Sequence, residues 1–313
     1  MQFDTLLELS DMFPNEESCK KYLEKVLWAN GEPVCAHCKN TKKIYRFATK
    51  PTQFKCGKCR KQFTVTVGTI FHGTHVPLRK WIFAIYLFTT HKKGVSAHQL
   101  ARDLKITVKT AWFMKHRLRT AFENMDFGAP MEGTVTVDES FWGMKAKNIH
   151  YHKRPKHNQG RKGENKLKIF TMLETNGKVK SVHVQDLKSQ TLKGIIFNHV
   201  SPGTTIQSDE YNAYNGLSWM GYNHIKCDHG RYQYVNKENG ATTNAIENYW
   251  SHIKRAIIGT YYHVSKKHIQ SYLSEFDYKF NTRNKTDIER FNLAILGSQG
   301  RLKYSQLINK LND

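Results

Sequence analysis

Three acidic residues in the second half of the chain have the type and spacing for metal-assisted chemistry on a phosphodiester. Asp138 lies near the end of an alternating run, Asp209 follows a second such run, and Glu247 lies in an amphipathic segment. Carboxylate oxygens are ligands that Mg²⁺ prefers. A pair of such ions can activate a water or 3′-hydroxyl and stabilise the leaving oxygen. If the fold brings the three residues together, they predict a site for two Mg²⁺ or Mn²⁺ ions, whereas each one alone would be an ordinary turn residue.

Both aspartates have an acidic neighbour, Glu139 in one case and Glu210 in the other. Successive side chains on a strand point to opposite faces, so only one member of each pair can face the metals. The sequence leaves open which member that is.

The first half of the chain carries a different kind of metal motif. Cys35 and Cys38 form one Cys-x-x-Cys pair, and after seventeen residues Cys56 and Cys59 form another. Each pair lets two sulfurs reach one tetrahedral ion from a tight turn, so the spacing predicts a structural Zn²⁺ site with four thiolates. The residues between the pairs alternate like a hairpin, which predicts a zinc ribbon over residues 31–76. A redox pair or four unligated thiols would not require this spacing.

Composition and charge indicate the class of partner. The chain has 313 residues, with 49 lysines and arginines against 26 acidic residues, a formal charge of +23. Such an excess favours a polyanionic partner, most often nucleic acid. The longest apolar run, residues 81–88, is too short to span a bilayer, and the N-terminus lacks the pattern of a secretory signal. We expect a cytoplasmic, nucleoid-associated protein of a bacterial type of cell, with no membrane partner.

Residues 77–128 have the pattern of a helix-turn-helix. Pro77 begins a helix that Gly94 ends, and Ser96 and Thr107 are suitable N-caps for two shorter helices. The second of these helices is basic, which suits DNA. Its residues predicted to be exposed and to bind DNA are Lys109, Lys115 and Arg117. The alternative is a small helical bundle that links two domains.

Residues 129–285 contain three strands in a meander, followed by a helix, a strand, a short helix, a strand and a helix. This is the element order of an RNase H-like domain, in which the three acidic residues would converge at one end of the sheet. With residues 1–30 as a helical lead-in and residues 286–313 as a helical tail, the predicted fold is multidomain α+β: a zinc ribbon, a helix-turn-helix-like region and an RNase H-like α/β catalytic domain with a mixed sheet.

The segment 242–255 is predicted to be a helix with two different faces. Asn244, Glu247, Ser251 and Lys254 recur at three and four residues and share a polar face, while the remaining face is apolar. Aromatic residues further along are predicted to lie in the core rather than to stack on bases. They are Tyr261, Tyr262, Tyr272, Phe276, Tyr278 and Phe280.

The basic loop 145–168 follows the first of the acidic strands. It contains Lys153 and Arg154 and three histidines, and it is predicted either to bind DNA phosphates or to be a solvated loop.

Three stretches together resemble the DDE transposases of the zinc-ribbon insertion-sequence group, which are related to the Merlin elements. They are VDESFWGMK at 137–145, SDEYNAY at 208–214 and TTNAIENYWSHIKRAIIGTYYHVSKKHIQSYLSEFDYKFNTR at 242–283. The resemblance covers roughly residues 15–285. It implies that Asp138, Asp209 and Glu247 are a catalytic triad and that Lys254, with Arg255 beside it, contacts DNA. Some members have Asn as the third residue, so Asn244 is an alternative ligand.

The sequence thus predicts a transposase that binds the terminal inverted repeats of an insertion sequence, cuts at its ends and joins them to target DNA. Two ends must be held together, so we expect a homodimer or larger assembly on double-stranded DNA. One alternative is a zinc-dependent DNA-binding regulator with structural carboxylates. Another is a domesticated transposase that binds DNA without cutting it.

Overall fold

The computed structural model describes residues 3–28, 31–125, 127, 130–143, 150–153, 166–227 and 242–309. The chain forms two compact units, one made of Met1–Asp126 with Thr282–Asp313, the other of Phe127–Asn281. Within the described ranges, no helix is both long and apolar enough to cross a membrane.

The first unit is mostly helical. Its helices are α1 (Leu6–Met12), α2 (Glu16–Leu27), α3 (Leu78–Thr90), α4 (Ala97–Leu104), α5 (Val108–Glu123), α9 (Asp287–Leu296) and α10 (Tyr304–Ile308). The C-terminal helix α9 completes the core of the N-terminal helices. Its Phe291 is fully buried, and its ring centroid lies 5.2 Å from that of Phe3 and 6.0 Å from that of Tyr22. The tail therefore belongs to the first unit, which the local sequence pattern does not predict.

The predicted ribbon is present. Strands β1 (Ile44–Arg46), β2 (Phe54–Cys56) and β3 (Gln62–Phe63) form an antiparallel sheet in that order. Trp28 packs edge-on against Phe54, whose ring stacks on Phe63, so a small aromatic core supports the metal-binding loops. After β3, residues 65–73 form turns, with one isolated β-bridge from Thr69 to Gln299.

Helices α4 and α5 pack together across a short turn, as a helix-turn-helix does. Ser96 caps α4 and Thr107 caps α5 through their side-chain oxygens, as predicted. Lys105 between them adopts a left-handed conformation, with φ of 52°, that ends α4. Leu100 and Ala111 are fully buried between the helices.

The second unit is built on a five-stranded sheet. Its strands are β4 (Thr134–Trp142), β5 (Leu167–Glu174), β6 (Val179–Val184), β7 (Thr205–Ser208) and β8 (Asn223–Lys226). The spatial order is β6-β5-β4-β7-β8. Strand β5 is antiparallel to both of its neighbours, β4 and β6, and β7 and β8 run parallel to β4. This mixed sheet with β4 at its centre confirms the RNase H-like prediction.

Helices cover both faces of this sheet. They are α6 (Ser189–His199), α7 (Asn244–Ala256) and α8 (Ile269–Asn281). On one face, Val135 and Val137 of β4 pack with Leu192 and Ile196 of α6. On the other face, the apolar side of α7 and α8 packs on β5 and β6. Alternate residues of β4 therefore face different helices, and this decides which acidic side chain faces which environment.

Candidate active site

Asp138 and Asp209 are placed side by side by strand register. Strands β4 and β7 run parallel, and their last pair is Thr136 with Gln207. Asp138 and Asp209 each lie two residues beyond that pair. Because strand side chains alternate between the two faces, both aspartates point to the same face as Thr136 and Gln207, which is the face covered by α7. Two carboxylates thus lie side by side just beyond the point where the parallel pairing of β4 and β7 ends.

Backbone donors orient both carboxylates. The N–H of Glu139 donates to Oδ1 of Asp138 at 2.8 Å, and the N–H of Tyr211 donates to Oδ1 of Asp209 at 3.0 Å. These bonds fix the carboxylates close to their own backbone and leave further oxygen lone pairs for other ligands.

The structure answers which acidic neighbour faces the site in the first pair. Glu139 points to the opposite face of the sheet, where it accepts a hydrogen bond from the hydroxyl of Tyr214. Tyr214 is fully buried in the core beneath α6, and burial together with the charge of Glu139 raises its pKa well above the usual value. The hydroxyl therefore stays protonated and donates its hydrogen bond to Glu139, whose side chain is held on the core side of the sheet. In the second pair, Glu210 is exposed beyond the end of β7.

Glu247 comes from α7, whose start is anchored to the two aspartate-bearing strands. The Oε1 atom of Gln207 accepts from the N–H of Thr242 at 3.3 Å and from the hydroxyl of Thr136 at 3.4 Å. The hydroxyl of Thr243 then donates to Oε1 of Glu247 at 3.0 Å. Thr243 holds the N-cap position but does not cap a backbone N–H, because its hydroxyl is directed to this carboxylate.

The two predicted faces of α7 are confirmed. The polar residues Asn244, Glu247, Ser251 and Lys254 are all exposed. The buried residues on the opposite side are Ile246, Tyr249, Trp250 and Ile253.

The three carboxylates are close enough to repel one another. Burial raises the pKa of Asp138 to about 6, and the negative charges of Asp209 and Glu247 add to the increase, while the N–H of Glu139 opposes it. Their oxygen atoms do not all lie within 4.8 Å of one another; in the described part of the chain only the four cysteines form such a group. A set of three nearby carboxylates, two of them half-buried, fits hard divalent cations, which would relieve the repulsion.

A buried polar row runs across the sheet from Asp138. Asp138 pairs with Thr171 on β5, and Thr171 pairs with Ser181 on β6. Thr171 donates to the Ser181 hydroxyl at 2.9 Å, and Ser181 donates to Asp277 of α8 through its hydroxyl and its N–H, both at 2.8 Å. The hydroxyl of Tyr249 on α7 donates to the same carboxylate at 2.5 Å. Sequence alone gives no sign of this row, because it depends on strand register and on two helices meeting.

The cysteine cluster has the dimensions of a zinc site. The sulfurs of Cys35 and Cys59 lie 3.7 Å apart, as do those of Cys38 and Cys56. Tetrahedral Zn–S bonds of about 2.3 Å place the sulfurs about 3.8 Å apart, so the four residues fit Zn²⁺ without rearrangement.

The two Cys-x-x-Cys loops have the same backbone. The carbonyl of Cys35 accepts from the N–H of Lys39 at 2.9 Å, and that of Cys56 accepts from the N–H of Arg60 at 2.8 Å. Lys39 and Arg60 both adopt positive φ, 57° and 59°. Backbone N–H groups of Cys59 and Lys58 lower the pKa of the Cys56 thiol to about 6, which favours the thiolate that a metal needs.

Two of the predicted DNA-binding residues are not exposed. Lys115 is 2% exposed and Arg117 is 4% exposed. The guanidinium of Arg117 donates to the carbonyl oxygens of Ile70, His72 and Leu302. The prediction that these two side chains lie on the surface is therefore wrong. A basic helix can bury its cations when their hydrogen bonds are made to backbone carbonyls.

The other predicted DNA-binding residues have different placements. Lys109 on α5 is exposed, and its Nζ lies 5.0 Å from the ring centroid of Tyr304. Lys254 and Arg255 are exposed on α7. Lys153 lies in a short 3₁₀ turn, and Arg154 falls outside the described residues.

One aromatic residue departs from the predicted core. Tyr272, Phe276 and Tyr278 are buried, but Tyr262 is 84% exposed. Its position after α7, in a segment that leaves α-helical geometry, explains why helical periodicity places it wrongly.

Two family models match separate parts of the chain. The family model described as ISXO2-like transposase domain matches residues 130–281. The model described as transposase zinc-ribbon domain matches residues 14–62.

Two relatives support the same assignment. An uncharacterized protein in transposable element ISH50 of Halobacterium salinarum is 24% identical over 277 residues, which cover 84% of this chain and 90% of that protein. An uncharacterized transposase-like protein of Haemophilus influenzae is 30% identical over 122 residues, 39% of this chain and 96% of that protein.

Among solved structures, the Mos1 strand transfer complex matches at 10% identity with a TM-score of 0.30, covering 69% of this chain and 74% of that one.

Proposed function

The chain belongs to the ISXO2-like transposase family, and we propose that it cuts DNA at the ends of its element and joins the freed 3′-hydroxyls to target DNA. The observation that carries this proposal is the convergence of Asp138, Asp209 and Glu247 from two parallel strands and one helix on one face of the sheet. In this proposal the three residues are the catalytic triad, and Asn244, exposed three residues before Glu247, is an alternative metal ligand.

The chemistry would need divalent cations held by the triad. Two Mg²⁺ or Mn²⁺ ions bound there would activate the attacking oxygen and stabilise the leaving oxygen of the phosphodiester. The chain's own residues would position these ligands, because strand register sets the two aspartates side by side and Thr243 donates a hydrogen bond to the Glu247 carboxylate. Because Glu139 is tied to Tyr214, it stays out of the ligand set.

DNA binding would use several basic surfaces. Lys254 lies seven residues after Glu247, two helical turns along the same exposed face, so it can contact a phosphate beside the cleaved bond. Lys109 at the start of α5 lies where a recognition helix approaches DNA. The ribbon, with Zn²⁺ on its four cysteines, would add further backbone contacts through its many lysines. We also propose that the protein is a homodimer on DNA and that Lys153 and Arg154 contact phosphates.

The proposal is tested with purified protein and the DNA that flanks its gene. We expect Mg²⁺-dependent nicking at one repeated end sequence and joining of that end to a second duplex. Asp209→Asn and Glu247→Gln should abolish both reactions while keeping DNA binding, because each change preserves shape and removes a charge. Binding without metal-dependent cleavage by any form of the protein would favour the regulator or the domesticated binder.

A further inference from the structure

The exposed face of α7 continues beyond Lys254 with large apolar side chains. Ile258 is 71% exposed and Tyr262 is 84% exposed. Ile258 lies eleven residues after Glu247, a spacing that returns to the same side of a helix, as the seven-residue spacing of Lys254 does. A carboxylate, an ammonium and an isoleucine thus follow one another along one exposed face.

The backbone after α7 turns Tyr262 outward. Residues Ile257–Tyr261 form a π-helix, and Tyr262 follows with φ of 58° and ψ of −47°. The N–H of His263 donates to the carbonyl of Tyr261 at 2.6 Å, so Tyr262 is the central residue of a γ-turn with positive φ. This turn is rare and strained for a residue with a side chain.

The neighbouring tyrosine fills the core instead. The ring of Tyr261 lies 5.0 Å from that of Tyr272, and its hydroxyl donates to Glu275 at 2.5 Å. Tyr262 gains no comparable burial in return for its backbone conformation. Strained conformations of this kind concentrate at functional sites, where the strain holds a side chain in place.

The surroundings of these side chains favour a polyanion. Lys254, Arg255 and Lys266 are exposed, and residues 251–268 contain no aspartate or glutamate. A basic surface that also presents an exposed aromatic ring matches a nucleic acid strand, since cations bind the phosphates and the ring stacks on a base. This charge complementarity favours DNA over an apolar protein or lipid partner.

We propose that Tyr262 stacks on a base of the substrate DNA and that Ile258 packs against the same strand, with the strand following the exposed face of α7 from Glu247. This deepens the proposed function and rests on it for the position of the cleaved bond. At about 1.5 Å per residue, Ile258 lies about 16 Å from Glu247 along the helix, and Tyr262 follows it after the π-helix. At about 3.4 Å per nucleotide, the contacted bases begin roughly five nucleotides from the cleaved bond.

The test uses variants that separate the ring from the backbone. Tyr262→Phe keeps the ring, and Tyr262→Gly removes it while relaxing the positive φ. We expect Tyr262→Gly to weaken DNA binding about tenfold or more, in line with the value of one stacked base, and to keep or raise Tm. Tyr262→Phe should bind as the wild type does. Trp219→Ala is the matched control, because Trp219 is 94% exposed but lies outside this segment.

The direct readout is fluorescence of 2-aminopurine placed singly at every position of the element end, with Ca²⁺ replacing Mg²⁺. We expect one or two positions, roughly five or more nucleotides from the nick, to respond with wild type and Tyr262→Phe and to lose that response with Tyr262→Gly. Equal Kd and equal fluorescence for wild type and Tyr262→Gly would overturn the inference. A response that depends on Tyr262 in a protein that never nicks DNA would support the stacking surface and refute the proposed catalysis.

Discussion

Thr243 donates a hydrogen bond from its hydroxyl to Oε1 of Glu247, one turn later on α7, at 3.0 Å. Thr243 itself is 3% exposed, whereas Glu247 is exposed. A buried hydroxyl therefore restricts a carboxylate that would otherwise be free to rotate. This bond directs one oxygen of Glu247 toward the helix start, and in the proposed mechanism the other oxygen would bind a metal ion.

Thr243→Val should slow Mg²⁺-dependent nicking about tenfold, since a hydrogen bond to a charged group contributes about 1.5–3 kcal/mol and tenfold corresponds to about 1.4 kcal/mol. Valine has nearly the same shape and lacks the hydroxyl. Thr243→Ser, which keeps the hydroxyl, is the control and should retain most of the rate. Equal rates for Thr243→Val and wild type at saturating Mg²⁺ would show that the bond does not position Glu247.

Asp277 gives a prediction about pH. Burial raises its pKa to about 6, although Tyr249 and Ser181 donate three hydrogen bonds to it. The folded protein then binds this proton more tightly than the unfolded chain, so the contribution of Asp277 to stability is largest at low pH and is lost as pH rises through about 6.

We expect the Tm of the wild type to fall relative to that of Asp277→Asn as the pH rises from about 5 to about 7. The variant lacks the titrating group, and the other groups cancel in the comparison. Thermal unfolding of both proteins at the two pH values measures the shift. If the Tm of the wild type instead rises relative to that of the variant over this pH range, the three donors outweigh burial and lower the pKa of Asp277.

The buried cation Arg117 should act on stability rather than on DNA. Arg117→Met leaves the carbonyl oxygens of Ile70, His72 and Leu302 without their donor, so we expect a loss of about 2–4 kcal/mol in the free energy of unfolding. Lys109→Met removes an exposed cation and should leave Tm unchanged while weakening DNA binding and reducing its salt dependence. Urea unfolding and DNA titrations at several salt concentrations separate the two effects. An unchanged stability for Arg117→Met would contradict the role assigned to its hydrogen bonds.

Zinc removal should disrupt the ribbon first. Cys56→Ser takes away the sulfur whose pKa is lowered by the adjacent backbone N–H groups, so we expect loss of bound zinc and of DNA affinity. Metal analysis and DNA titration measure both. Cys19→Ser is the control, since Cys19 is buried outside the cluster and its substitution should leave the zinc content at the wild-type value. Full zinc content in Cys56→Ser would contradict the four-thiolate assignment.

Much of the catalytic unit could be predicted from sequence because its signals are local. Alternation in β4, β5 and β6 and the faces of α7 follow directly from side-chain periodicity. Asp138, Asp209 and Glu247 could be named because the first lies on a strand, the second just beyond a strand and the third on an exposed helix face. The choice between Asp138 and Glu139 could not be made, because it depends on which helix covers which face.

The sequence-based predictions that were wrong, or that could not be made, concern features that local side-chain periodicity does not determine. The burial of Arg117 depends on carbonyl groups distant in sequence. The ammonium of Lys115 is buried 5.8 Å from the ring centroid of Phe88 on another helix. The exposure of Tyr262 follows from a π-helix and a γ-turn, which change the number of residues per turn and so defeat helical periodicity. Helix α9 belongs to the first unit because it contacts N-terminal helices that lie far from it in sequence.

The most direct test of the account compares two neighbouring acidic residues on one strand. Nicking of the element end in Mg²⁺ should be abolished by Asp138→Asn and kept near the wild-type rate by Glu139→Gln, because Asp138 faces Glu247 and Glu139 faces the core. Asparagine and glutamine preserve shape, and the Gln side chain can still accept from Tyr214. Loss of nicking in Glu139→Gln with activity retained in Asp138→Asn would contradict the assignment of the catalytic face.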